Sequence, residues 1–362
     1  MYGHTQAEAD TKANELKLML RKGIDITASN DSFSEWGKRW LKLKKSEVSL
    51  NQYNVYRSAL NHLNKYVGNI ALAKIETISI QECIYDLAEK NPTTEKPSAK
   101  QTLKTVKITA SQIFRLAIEN RVLDYNPVDA VKLPKNAPEN ARRALTANEQ
   151  AWIVNTYHRA QRASMIMMYA GLRRGELLAL TWSDIDLSNG IIHVNKSAER
   201  INGKFIIKDS TKTESGMRSI DIPEILINYL KHEKRSNFYV CTNSKGDMHT
   251  ESSWRRMWES YLADLNIKYG DFSFMKKKPK SKYDPIGVPF VIPRITPHWL
   301  RHTFASILYM SGVDYLTAKD QLGHADIETT LQIYTHLDNK YKRKSMSKLN
   351  DYINSAGNMQ GV

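Results

Sequence analysis

Ser188-Asn189-Gly190-Ile191-Ile192-His193-Val194, Asn202-Gly203-Lys204-Phe205-Ile206-Ile207 and Arg218-Ser219-Ile220-Asp221-Ile222 decide the fold class of this chain. The three apolar runs are short and rich in isoleucine and valine, and Ser-Asn-Gly and Asn-Gly punctuate them. Asn-Gly between extended runs is a hairpin signal, because both residues tolerate the positive φ of a tight turn. The runs predict a three-stranded antiparallel sheet. On either side the apolar residues recur at helical rather than alternating spacing, so the chain is predicted to be mainly α with a small antiparallel β-sheet, an α+β fold.

Upstream of the sheet, Thr146-Ala147-Asn148-Glu149 is a capping box ahead of a helix through Trp152, Ile153 and Tyr157. A second helix follows through Met165, Ile166 and Met168 to Tyr169. Before them, Leu133-Pro134-Lys135-Asn136-Ala137-Pro138 and the polar residues up to Arg143 disfavour continuous helix or strand, which marks a linker. Farther upstream, Trp36, Trp40 and Leu43, then Tyr56, Leu60, Leu63 and Tyr66, then Leu103, Val106, Ile113, Leu116 and Ala117 repeat at helical spacing. The expected organisation is an N-terminal helix (Gln6 to Leu20) and linker in residues 1–31, a helical domain in 32–133, a linker in 134–143, a mixed domain in 144–343, and a C-terminal helix and tail in 344–362.

The chain of 362 residues carries 53 Lys plus Arg against 38 Asp plus Glu, a net charge of +15, which points to a polyanionic partner, nucleic acid first and an anionic membrane surface second. No stretch approaches the ~20 apolar residues that span a bilayer, and Met1 to Arg21 lacks the apolar region of a signal peptide, so no membrane partner is expected. Cys83 and Cys241 are too few and too far apart for a disulfide framework or a zinc site, which makes a reducing cytoplasm the expected compartment. Basic residues cluster on the predicted faces of the helical domain at Lys38, Arg39, Lys42, Lys44 and Lys45, and at Lys100, Lys104 and Lys107; the second cluster is expected to face DNA. In the irregular stretch Gly270 to Pro293, Lys276, Lys277, Lys278, Lys280 and Lys282 read equally as a solvated loop or as contacts to a phosphate backbone.

Five short motifs carry chemistry. Thr296-Pro297 starts a helix, with threonine as N-cap and proline in the first turn, and so places His298 and Arg301 near unpaired N–H groups and the positive end of a helix dipole. Arg173 follows the Gly171-Leu172 turn, and Glu176, one helical turn later, can hold its planar fork; a surface ion pair would need the same residues. Lys212, on the turn before Arg218, can donate a proton if neighbouring cations depress its pKa, with Lys208 as the competitor. Gly323 is placed to end a helix just before His324. Tyr334, ten residues on, is either packing or a nucleophile that cations would activate.

In order and context, Arg173 in AGLRRGELLAL, Lys212 in TKTESGMRSIDIP, His298 and Arg301 in TPHWLRHTFAS, His324 in QLGHADIETT and Tyr334 in LQIYTHL resemble the catalytic set of the tyrosine recombinases, and among them the integrases of phages and conjugative transposons. The resemblance runs from about Ser32 to the C-terminus. It implies a helical core-binding domain and a mixed catalytic domain forming a C-shaped clamp on double-stranded DNA at attachment (core) sites. It also implies roles: Tyr334 attacks the scissile phosphate to give a 3′-phosphotyrosyl link, Arg173 and Arg301 stabilise the pentacoordinate phosphorus, Lys212 protonates the leaving 5′-oxygen, His298 and His324 assist at the phosphate, and Glu176 orients Arg173. No metal and no cofactor are implied. A homotetramer on DNA is expected, with an accessory excision factor or DNA-bending protein as a further partner. Gln6 to Leu20 resembles the last helix of an arm-binding domain. A helix at Ser345 to Ile353 would dock on a neighbouring protomer or on its own domain. The competing functions are a type IB topoisomerase-like relaxer, which needs no tetramer, and a catalytically silent DNA-binding protein, which needs no tyrosine beside its arginines.

Overall fold

The structure is a computed structural model that describes residues 5–21, 28, 30–139, 143–201, 204–208, 217–284 and 287–323. It divides into two compact units, Met1–Ala141 and Arg142–Val362.

The first unit is helical among its described residues: α1 (Gln6–Arg21), α2 (Phe33–Glu47), α3 (Leu50–Val67), α4 (Thr77–Glu89) and α5 (Lys100–Glu119), with a short 3-10 turn at Leu72–Lys74. Ser32 starts α2 through a capping box with Glu35, and Ser49 caps α3, so the polar residue before each apolar run satisfies N–H groups that the helix leaves open. One core joins α2 to α5 through Phe33, Trp36, Trp40, Leu60, Leu63, Ile84, Leu103, Val106, Ile113 and Phe114. Leu43, expected on the buried face of α2, is 49 % exposed. It lies one turn beyond Trp40, the last buried residue of α2.

In the second unit, Thr146 and Glu149 form the expected capping box at the start of α6 (Ala147–Val154). That helix stops before Tyr157, which is 95 % exposed rather than packed. Next come α7 (Gln161–Tyr169), α8 (Arg174–Ala179) and five strands, β1 (Ile185–Asp186), β2 (Ile191–Val194), β3 (Ser197–Ile201), β4 (Lys204–Lys208) and β5 (Arg218–Asp221). The three apolar runs do not form one sheet. β2 pairs antiparallel with β1 and with β5, in the register Ile192 opposite Ile220, whereas among the described residues β4 pairs with β3, a charged run that apolar patterning does not reveal. The α+β class stands, with two small antiparallel sheets in place of one.

After the sheets the chain returns to helices: α9 (Glu224–Lys231), α10 (Glu251–Tyr269), α11 (Pro297–Met310) and α12 (Tyr315–Leu322). α11 packs on α7, and its Leu300, Phe304 and Ala305 join the core built by Met165, Ile166, Leu177, Leu178, Trp254 and Tyr261. The described residues of the 270–293 stretch form neither helix nor strand, yet the stretch is fastened to α10 at its middle and near its far end. Buried Asn266 donates to the Pro289 carbonyl at 2.9 Å and accepts from the Val291 N–H at 2.9 Å, while Lys282 pairs with Asp264 at 2.8 Å. The Asn266 side chain satisfies loop backbone that would otherwise be stranded against the core. Among the described residues, no helix is long and apolar enough to cross a membrane.

Candidate active site

The centre of the site is a turn. Gly171 holds φ +65°, and a Cβ there would lie 2.2 Å from Phe304 Cδ1, so the absence of a side chain lets α11 close against the turn. Leu172 is buried, and Arg173 then caps α8 in extended backbone geometry. Glu176, one turn into α8, grips Arg173 twice: Oε2 accepts from its backbone N–H at 2.9 Å and Oε1 from Nη1 at 2.7 Å. The Arg173 side chain stays 44 % exposed while its base is fixed. That combination suits a ligand-binding fork.

On α11, Thr296 accepts from the Trp299 N–H and Pro297 occupies the first turn, as the sequence predicts. One turn later Arg301 is only 4 % exposed. Its Nη1 donates to the Gly171 carbonyl at 2.5 Å and its Nη2 to the Leu322 carbonyl. Arg173 Nη2 donates to the next carbonyl, Gly323, at 2.8 Å, and Arg218 Nε donates to the preceding one, Gln321, at 3.0 Å. Three consecutive carbonyls at the end of α12 thus each accept from a different arginine. Those carbonyls have no partner within the helix and sit at the negative end of its dipole, which explains why cations collect there. Gly323 ends α12 in the left-handed region at φ +59°, as expected for a glycine after the last helical residue.

Electrostatics bind the cluster further. Burial by itself would raise the Glu176 carboxyl, but the hydrogen bond and charge of Arg218, with the charges of Arg173 and Arg301, hold it down at about 2. Burial lowers Arg301 to about 9, helped by Arg173 and Arg218 and opposed by Glu176, so the guanidinium stays charged at neutral pH. The result is one buried carboxylate among three arginines, an excess of positive charge in a partly dry site, where charge–charge interactions are stronger than in water. The hydrogen bonds named here engage two of the five N–H groups each of Arg173 and Arg301; the rest are the donors a phosphate would take.

Of the expected site residues, Arg173, Glu176 and Arg301 are brought together. His298 is exposed in the first turn of α11, its ring 4.5 Å from that of His302. Lys212, His324 and Tyr334 lie outside the described residues, as does the segment from Ser345 to Ile353. Lys208, the competitor of Lys212, makes an ion pair with Glu199. In the first unit Lys100 pairs with Glu139 and Lys107 donates to the Val131 carbonyl at 2.5 Å, so the lysines of this cluster do not form a uniformly solvent-facing row; Lys104 is exposed. Lys276, Lys277 and Lys278 are exposed on the 270–293 stretch. Sequence reading missed Arg218. It shares the inward face of β5 with the fully buried Ile220, and a cation at an inward strand position is the signal that would have exposed it.

Residues 137–341 match the model of the phage integrase family, and residues 32–88 match that of the phage integrase N-terminal SAM-like domain. The first match spans more than half of the chain. The chain belongs to the phage integrase family. Curated relatives of this integrase include a tyrosine recombinase XerC-like protein of Caldanaerobacter subterraneus subsp. tengcongensis, 25 % identical with 97 % of this chain and 90 % of the relative covered, and the ICEBs1 integrase of Bacillus subtilis, 26 % identical with 96 % and 91 % covered. Among solved structures, the Tn1549 transposon integrase in complex with transposon right end DNA superposes with a TM-score of 0.69 at 20 % identity, covering 88 % of this chain and 100 % of that one, which establishes a shared fold. The integrase is a site-specific recombinase of the tyrosine type, and its relatives favour neither a topoisomerase-like relaxer nor a silent DNA-binding protein.

Proposed function

We propose that this integrase cleaves and rejoins double-stranded DNA at attachment sites through a 3′-phosphotyrosyl intermediate on Tyr334, and so integrates and excises a mobile element or phage. The observation that carries the reading is the convergence of Arg173 and Arg301, from motifs 128 residues apart, on one helix end, beside a buried carboxylate that Arg173 bonds and the charge of Arg301 helps to keep ionised. In the first step the Tyr334 phenol loses its proton and its oxygen bonds to phosphorus, while the bond to the 5′-oxygen breaks and Lys212 protonates the leaving oxygen. Arg173 and Arg301 stabilise the charge that grows on the non-bridging oxygens, the role of fixed donors in phosphoryl transfer. Glu176 holds Arg173 in register, and His298 and His324 supply hydrogen bonds or carry the proton. The phosphotyrosyl ester conserves the energy of the broken bond, so a 5′-hydroxyl from a second strand reverses the step without ATP or a metal ion.

The helical unit and the catalytic unit would clamp the DNA from opposite faces, with Lys104 and Lys276, Lys277 and Lys278 against the phosphate backbone, and Lys100 and Lys107 at the margin of that contact. Residues 1–31 would contribute an N-terminal helix and linker, and 344–362 a tail docking on its own domain or a neighbour's. The integrase would act as a homotetramer on the DNA in the cytoplasm, at the nucleoid, with an accessory excision factor or DNA-bending protein setting direction. Support for this assembly comes from a relative of the same fold, the lambda integrase, solved as a tetramer bound to a Holliday junction.

The polarity of the link tests the reading. A duplex bearing the attachment site and a nick near the cleavage point should yield a covalent adduct that retains the 3′-phosphate and releases a strand with a 5′-hydroxyl, which polynucleotide kinase can label. A released 5′-phosphate would rule the reading out.

A further inference from the structure

The side chain of Arg218 is 6 % exposed, less than that of Arg173, and among the described residues it donates to three oxygens at once. Its Nη2 donates to Glu176 Oε2 at 2.8 Å, its Nη1 to Oε1 at 3.2 Å, and its Nε to the Gln321 carbonyl at 3.0 Å. Glu176 is thereby held by a fork on one side and by Arg173 on the other. Three residues along β5, Asp221 completes a seam with the same helix end: its N–H donates to Gln321 Oε1 at 3.0 Å, and Gln321 Nε2 donates to its carboxylate at 3.0 Å. The seam is close-fitting. A Cβ on Gly323 would lie 2.9 Å from both Cδ and Nη1 of Arg218, so glycine is needed there for the guanidinium to pass as well as for the turn.

We propose that Arg218 is a positioning residue of the reaction centre: by fixing Glu176 and the last turn of α12 together, it sets the orientation of the Arg173 fork on the phosphate and the point from which the chain leaves toward His324. This rests on the recombinase reading of the site. Arg218 does not contact DNA in this role; it acts through Glu176, Arg173 and the Gln321 carbonyl. Lysine cannot replace it, because a single ammonium on a flexible stem cannot serve both carboxylate oxygens and a carbonyl in fixed geometry.

The test compares wild type with Arg218→Lys on two nicked attachment-site duplexes, one with a normal scissile phosphate and one with an uncharged scissile methylphosphonate, which asks less of the Arg173 fork. Adduct formation is followed at saturating DNA, with duplex affinity measured separately. Arg218→Lys should cleave the phosphodiester at least roughly tenfold more slowly, keep its affinity within about twofold, and recover most of the deficit, to within about threefold of wild type, on the methylphosphonate. Because one protein preparation cleaves both duplexes, a loss of folded protein cancels in the ratio. A wild-type rate on the phosphodiester, or an equal deficit on both duplexes, overturns the role of Arg218. Absence of a Tyr334-dependent adduct in the wild type overturns the recombinase reading instead, and this role with it.

Discussion

Arg301 donates to the carbonyl of Gly171 at 2.5 Å across 130 residues of chain, so its motif is fastened to the backbone of the Arg173 motif, and both arginines reach the same end of α12. Lysine cannot bridge the Gly171 and Leu322 carbonyls together. Arg301→Lys should therefore slow single-turnover cleavage on the order of 10²-fold or more, the usual consequence of removing a fixed donor from a transition state. It should also destabilise the catalytic unit by roughly 1–3 kcal/mol through the carbonyl left unpaired. Single-turnover cleavage and urea denaturation measure the two effects, and near-normal cleavage would remove Arg301 from the site.

Gly171→Ala tests the turn itself. The left-handed backbone costs roughly 1–2 kcal/mol for a residue with a side chain, and displacing the buried Phe304 ring, 2.2 Å from the new methyl, costs roughly another 1–3 kcal/mol. The denaturation midpoint of the catalytic unit should fall accordingly, with cleavage falling as Arg173 and Arg301 lose register. An unchanged midpoint would mean that the turn is not under this constraint.

Acid should weaken the catalytic unit in two windows. Burial, reinforced by the charge of Arg159 and opposed by a backbone hydrogen bond to Thr242, lowers His249 from 6.5 to about 4. A depressed histidine contributes stability that is whole above pH 6.5 and is lost as pH falls toward 4. The carboxyl of Glu176, lowered from 4.5 to about 2, adds a second loss between those values. Each shift corresponds to roughly 3 kcal/mol at most. Denaturation followed from pH 7 to pH 4 should show a steady decline, flattened in His249→Asn. Parallel pH profiles for the variant and the wild type would contradict the assignment.

Much of the frame was legible because local signals and tertiary context agree. Ser32 with Glu35, Thr146 with Glu149, and Thr296-Pro297 start helices where their capping chemistry predicts, and Gly323 ends one. The illegible parts depend on partners distant in sequence. Ser197–Ile201 is a strand because it pairs with β4, despite its glutamate and arginine, and Tyr157 is exposed because α6 stops three residues earlier than apolar spacing suggests. In the site, Arg173, Glu176 and Arg301 were readable from helix-start chemistry and motif order. Arg218 left one signal, a cation at an inward strand position beside Ile220, while the three carbonyls at the end of α12 left none, since hydrogen bonds to backbone leave no trace in residue identity.

Lys212 is expected to be the general acid. Lys212→Ala should slow cleavage of ordinary DNA by about 10²- to 10⁴-fold. On a duplex with a 5′-bridging phosphorothiolate, whose sulfur leaves without a proton, the variant should approach the wild-type rate. If the sulfur substrate brings no recovery, the proton comes from another group, with His298 the first to examine.

The proposed mechanism makes Tyr334 the nucleophile served by the arginine cluster. Wild type and Tyr334→Phe, incubated with the nicked attachment-site duplex and resolved under denaturing conditions, test it most directly. A covalent protein–DNA species is expected in the wild type, with nucleotide mapped to Tyr334 by mass spectrometry, and none in Tyr334→Phe despite unchanged DNA binding. A covalent species of undiminished yield in Tyr334→Phe would contradict it.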